Sequence, residues 1–248
     1  MKISDLIQES HAVAVSKGWH EQPACEHPGF FDVIEDSYTF PQNVDIDRVA
    51  ALLLMIHSEI GEAWECFQSD VPWPGQVPQS TSERAGLVGY RLCESIVEGK
   101  PEGLIVELAD VVLRVADLAG ALGLPLAGSC SALRGRELVG TCSRGSALDA
   151  LVWSVGVSAF DVDAELTDLF SPRTCTEQEH FNELRSYVDA ATEHLRSTSV
   201  FSLSDELARL LAECQRMATY FGLDLVHAVE TKMTYNRTRP HRHGGKNL

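Results

Sequence analysis

ELADVVLRVADLAGALGLPL, from Glu107 to Leu126, and ELARLLAECQRMATYFGLDL, from Glu206 to Leu225, align without gaps at an offset of 99 residues. Around the first copy, Leu104, Leu108, Val111, Val115, Leu118 and Leu122 recur at steps of three and four, the period of a helix with one apolar face. Both copies end in Gly-Leu, a helix stop that needs glycine's conformational freedom. Outward from this pair, LMIHSEIGEAW (Leu54 to Trp64) sits beside LVWSVGVSAFD (Leu151 to Asp161) at an offset of 97. Accidental likeness between apolar helices is the alternative, but order and spacing agree as well as letters. The expectation is an all-α helical bundle built from two tandem pseudo-repeats, residues 1–140 and 146–248, that share one core.

The remaining segments extend this reading. Ile46, Val49, Leu53, Ile56, Ile60, Trp64 and Phe67 give helical spacing from Asp45 to Phe67. VPWPGQVPQSTS is a loop, and Ser82 caps a helix expected to reach about Val97. Pro101 is placed at the start of the next helix, which Gly123 and Pro125 stop. Helices are also expected over Ala147–Phe170, over Thr176–Ser197 with Thr176 and Glu179 as a capping box, and over Leu203–Phe221, ended by Gly222. No segment shows convincing strand alternation.

The formal charge of −16, from 36 acidic and 20 basic residues, argues against nucleic acid or an anionic membrane as the main partner. The 7 cysteines include no C-x-x-C pair and read as reduced thiols, which points to the cytoplasm. His20, Cys25 and His27 match no common zinc spacing. Asp5, Glu9 and Lys17 interrupt the apolar residues of the opening stretch, so neither a signal peptide nor a membrane span is expected there.

Four carboxylates stand out against this apolar background. Glu59 and Glu62 lie three apart, on one face of their helix, and neither has a Lys or Arg four residues away to compensate it. Glu107 and Asp110 repeat the spacing on a second helix, where Asp110 has Arg114 one turn on as a potential partner. Four carboxylates converging from two helices, with no His or Cys at ligand spacing, suit a hard cation, Mg2+ or Mn2+.

E-x-x-E at Glu59 and Glu62, followed by E-x-x-D within VELADVVLRVADLAGALGL, resembles the MazG-type all-α pyrophosphohydrolases, a superfamily that includes dimeric dUTPase-like enzymes. The closing KMTYNRTRPHRHGGKNL is similar to the tail of its short members. The resemblance covers Val49 to Gln68, Gly99 to Leu126, and Val226 onward; the stretch between Glu62 and Glu107 is longer than the usual motif spacing. It implies Mg2+ held by Glu59, Glu62, Glu107 and Asp110, and hydrolysis of a nucleoside triphosphate to the monophosphate and pyrophosphate.

Five of the 20 basic residues, Lys232, Arg237, Arg239, Arg242 and Lys246, fall in the last 17 positions. Guanidinium forks and lysine point charges suit phosphate, and the Gly244-Gly245 pair permits close backbone approach. By resemblance, Lys232, Asn236, Arg239, His243 and Lys246 hold the triphosphate. His241 and His243 read as surface residues rather than metal ligands, and Trp19 is a candidate for stacking on the base, with a buried core role weighed ahead of it. In the mechanism expected, Glu62, with Glu59 beside it, orients the attacking water.

The two repeats lose complementary parts. Gly156, Ala159 and Arg209 stand opposite Glu59, Glu62 and Asp110, while Leu133, Glu137 and Gly140 stand opposite Lys232, Asn236 and Arg239. The first repeat is therefore expected to supply the metal ligands and the second the phosphate tail, the fusion replacing a homodimer. A base-selective dUTPase- or dCTPase-like hydrolase, or a non-catalytic nucleotide-binding helical protein, remain the alternatives.

Overall fold

The structure is a computed structural model that describes residues 1–20, 45–70, 96–97, 100–140, 164–169, 175–197 and 200–241. Its α-helices are α1 (Ile3–Ser16), α2 (Ile46–Asp70), α3 (Leu104–Leu122), α4 (Leu126–Gly140), α5 (Glu177–Ser197), α6 (Val200–Tyr220) and α7 (Leu225–Thr238). The architecture is the all-α bundle expected. None of the described helices is long and apolar enough to cross a membrane.

α3 forms the centre because it is apolar almost all round, and a helix of that kind must be covered on every side. Sixteen of its residues are buried, among them Glu107 and Asp117. α1, α2, α6 and α7 all pack against it, while α5 and α4 pack on α6 and α2 meets α5. One continuous apolar cluster runs from Ile3 to Met233 and draws on both proposed repeats.

The helix ends follow from local chemistry. α3 and α6 close with the same motif: Gly123 (φ 62°) and Gly222 (φ 68°) adopt left-handed backbone. The next amides, of Leu124 and Leu223, reach back to the carbonyls of Ala119 and Ala218 at 2.9 and 2.8 Å. The Thr176–Glu179 capping box is present, with the Glu179 amide donating to Thr176 Oγ1 at 3.3 Å and the Thr176 amide donating to Glu179 Oε2 at 2.6 Å. Asp224 caps α7 by accepting from the His227 amide at 3.0 Å.

Three expectations are corrected. Ile96 and Val97 are not the end of a helix; they form β1 (Ile96–Val97), a two-residue strand pairing antiparallel with β2 (Lys100–Pro101), Ile96 opposite Pro101. Pro101 therefore does not begin α3. Its ring biases Lys100 toward extended backbone, and the helix starts only after Gly103 turns the chain at φ 120°. At the other end of the chain's middle, Ala164 to Leu169 is not helical to Phe170 but extended, with a single 3-10 turn at Leu166–Asp168. The Ile3 amide donates to the Ala164 carbonyl at 3.0 Å, which holds this stretch extended beside α1. The rest of the expected Ala147–Phe170 helix and the start of the Ser82–Val97 one, together with the segment Leu151–Asp161, lie outside the described residues. Two helices, α1 and α4, were not anticipated; α1 shows its face in the buried positions Ile3, Leu6, Ser10 and Ala14.

Candidate functional site

α2 and α3 lie side by side, so their three-residue carboxylate spacings face one another. Oxygens of Glu59, Glu62 and Glu107 all fall within 4.8 Å of one another. Asp110 stands apart from that trio, its Oδ2 2.5 Å from Lys232 Nζ of α7. Lys232 is 3% exposed, so this ion pair is largely shut off from water.

Arg114 behaves differently from the expectation. One turn past Asp110, it reaches across to α2 and donates from Nε to Glu59 Oε1 at 3.1 Å. Its guanidinium also lies 5.1 Å from the centre of the Trp19 ring, a cation–π contact. The positive charge that α2 itself does not supply thus comes from α3 and α7.

These groups share one cavity of about 190 Å³, lined by Glu59, Glu62, Glu107, Asp110, Lys232, Asn236, Arg239 and Trp19. Eight residues singled out from the sequence are therefore brought together in space. Lys246 and His243, with Cys25 and His27, lie outside the described residues. His241 is exposed, as expected.

The electrostatics follow from burial. Burial pushes the Glu107 carboxyl up to about 7, with the neighbouring Asp110, Glu62 and Glu59 adding to it and Lys232 opposing. Burial likewise lifts Asp110 to about 6, though Lys232 and Arg114 pull it back toward the ionised form. Loss of solvent lowers Arg239. Asn236 Oδ1 is buried and has no hydrogen-bond partner among the described residues. A buried amide left without a partner is costly, and one lining a polar cavity is in position to meet a ligand.

The sequence reading missed several residues. Asp117 also lines the cavity. It accepts from His11 Nδ1 at 2.9 Å and from His20 Nε2 at 2.8 Å. Burial alone would raise Asp117, but those two hydrogen bonds hold it below the usual range. The oxygen and two nitrogens are close enough for a metal, yet Arg48 Nη2 sits 2.9 Å from His20 Nδ1. Arginine can only donate, so Nδ1 accepts and Nε2 carries the proton given to Asp117. A metal on Nε2 would force Nδ1–H against that guanidinium. The trio is a hydrogen-bonded network, and Arg48 also donates to the Trp19 carbonyl at 3.2 Å, tying the cavity wall to α2.

Lys17 is the other omission: its Nζ donates to the carbonyls of Arg237 and Arg239, each at 2.7 Å. It closes the end of α7 and fixes the backbone that carries Arg239. The signal for Asp117 was available, since Glu107, Asp110, Arg114 and Asp117 form a polar stripe of helical spacing on an otherwise apolar helix. No such pattern marks Lys17, whose partners lie 220 and 222 residues away.

No protein-family model, curated protein or solved structure matches this chain.

Proposed function

We propose that the chain is a Mg2+-dependent nucleoside triphosphate pyrophosphohydrolase of the MazG kind, acting in the cytoplasm. The observation that carries this reading is the single cavity in which the Glu59–Glu62–Glu107 oxygens lie within reach of one cation, with Lys232, Asn236 and Arg239 on the same wall. The donor set fits the metal: every ligand candidate is a carboxylate oxygen, the choice of Mg2+ and Mn2+, and Glu107, whose ionised form burial and the neighbouring carboxylates disfavour, is a group that a cation would relieve.

Glu59, Glu62 and Glu107 would hold the ion, with Asp110, paired to Lys232, beside them on the same cavity wall. A bound divalent ion supplies a Lewis acid that polarises phosphoryl oxygen and acidifies water. Glu62, the most exposed of the three carboxylates, accepts the proton of the attacking water. Lys232 and Arg239 stabilise the negative charge that grows on the departing pyrophosphate. Asn236 lines the same wall: its Nδ2 would donate to phosphate oxygen, and its buried Oδ1, an acceptor without a partner among the described residues, would take a hydroxyl or water proton of the bound substrate. Trp19 offers a ring beside the same cavity for a base.

A panel of ribo- and deoxyribonucleoside triphosphates, assayed with Mg2+ for pyrophosphate and monophosphate release, tests the proposal. Turnover is expected for at least one substrate, and Glu62→Gln should lower it at least 100-fold. Turnover confined to one base selects the base-selective form of the enzyme. Tight triphosphate binding without turnover would replace the proposal by a nucleotide-binding protein.

A further inference from the structure

Arg114 lines the cavity but has no part in the chemistry above. Its side chain is mostly buried, 19% exposed. Nε donates to Glu59 Oε1 at 3.1 Å, whereas the terminal Nη nitrogens make no hydrogen bond among the described residues. A guanidinium fork with charged N–H donors still open, on the wall of a polar cavity, suits an anion, and its planar geometry matches phosphate oxygens.

Two neighbours fix where that fork lies. Glu59 holds its Nε from α2, and Trp19 takes a flat face, the guanidinium carbon lying 5.1 Å from the ring centre. The ring is anchored in turn through its main chain. The Trp19 amide donates to the Ala14 carbonyl at 3.0 Å, and the Trp19 carbonyl accepts from Arg48 Nη2 at 3.2 Å. With Nε and a face both held, the side chain has little rotamer freedom left to lose, so an anion meets a fork that is already ordered.

The fork also stands beside the carboxylate centre. Glu59 contacts Arg114 directly and belongs to the trio whose oxygens lie within 4.8 Å of one another. Lys232 comes to the same wall from α7, through Asp110. Arg239 is a neighbour of both: burial lowers its pKa, with the charge of Arg114 adding to that and the charge of Asp110 opposing it. An anion bound to the two guanidiniums would relieve their repulsion.

We propose that Arg114 is a phosphate-binding residue of this site, contacting a phosphoryl group beside the metal, and that Trp19 is its positioning residue, bracing the guanidinium. The inference rests on the reading of the cavity as a metal and triphosphate site. The ring face that carries Arg114 is closed to a base, so Trp19 contributes even to a phosphate chain that has no base attached.

Inorganic tripolyphosphate is such a probe. It is titrated calorimetrically into the full chain at saturating Mn2+, with Mn2+ occupancy followed by loss of the free-ion electron paramagnetic resonance signal. Wild type should bind both. Arg114→Lys keeps the charge and loses the fork and the flat face; it should retain Mn2+ and bind tripolyphosphate about 10-fold more weakly, the loss of one charge-assisted hydrogen bond. Trp19→Leu should weaken tripolyphosphate to a similar degree, and Trp19→Phe should restore most of the affinity. Wild-type affinity in Arg114→Lys overturns the phosphate role, and wild-type affinity in Trp19→Leu overturns the bracing role. A wild type that binds neither Mn2+ nor tripolyphosphate sinks the reading of the site itself. If a variant loses its fold or its Mn2+, wild type decides: tripolyphosphate, and not Mn2+ alone, should shield Arg114 from phenylglyoxal, read by peptide mass spectrometry, and equal labelling overturns the proposal.

Discussion

Asp110 and Lys232 make a close ion pair with little water around the lysine, and the ammonium draws Asp110 back toward the ionised form that burial disfavours. Removing one partner of such a pair leaves an uncompensated charge, a loss of about 3 kcal/mol when the site is well buried. Asp110 retains some exposure, which softens the effect. Lys232→Met is expected to lower unfolding free energy in chelator, and Asp110→Asn/Lys232→Met to recover most of it; urea titrations of the single and double variants check this. Glu107 gives a pH signature. Its folded carboxyl titrates near 7 against an ordinary 4.5. The folded state therefore holds its proton more tightly than the unfolded one, and stability falls as pH rises through that window. Glu107→Gln escapes this loss. In chelator it should gain stability over wild type at pH 8 relative to pH 5, on the order of 2 kcal/mol; a pH-independent difference would show that burial does not hold the proton.

At the scale of elements, two helix glycines make opposite predictions. A Cβ on Gly120 would come 2.6 Å from His11 Cβ, close to the backbone of α1, whereas one on Gly61 would meet nothing within 4 Å. Gly120→Ala must push α1 off α3 and should destabilise by about 1–3 kcal/mol. Gly61→Ala should stabilise by up to about 1 kcal/mol, since it removes backbone freedom from the unfolded chain and improves helix propensity. Thermal melts in chelator distinguish the signs. Elements were also where the sequence was most legible. α2, α3, α5 and α6 announce themselves by apolar period and by chemically explicit stops, Gly123, Gly222 and the Thr176–Glu179 box. What stayed hidden were the junctions set by partners distant in sequence: the extended Ala164–Leu169 stretch, held by Ile3, and the late start of α3 beyond Pro101. The site was legible in its charged members because carboxylates and basic residues are conspicuous on apolar helices. The pairing among them was not, since Arg114 is within reach of both Asp110 in its own helix and Glu59 across the interface, and only packing chooses.

For the molecule as a whole, the central question is whether its two halves are domains. α3 contributes to the first half's carboxylate centre, yet it packs against α1 and α2 of the first half and α6 and α7 of the second. Cutting the chain between residues 140 and 146 would expose the buried faces of α3, α4 and α6 together, and neither half would retain a core covered on all sides. The site itself would be divided, with Glu59, Glu62, Glu107 and Asp110 in one piece and Lys232, Asn236 and Arg239 in the other. The intact chain should therefore melt in one cooperative transition, with calorimetric and van't Hoff enthalpies equal. Separately produced 1–140 and 146–248 fragments should lack cooperative melting, and mixing them should restore helicity and, with it, triphosphate binding in the presence of Mg2+. Two independent transitions, or a fragment 1–140 that melts cooperatively by itself, would mean that the halves are separate domains and that the shared core contributes little.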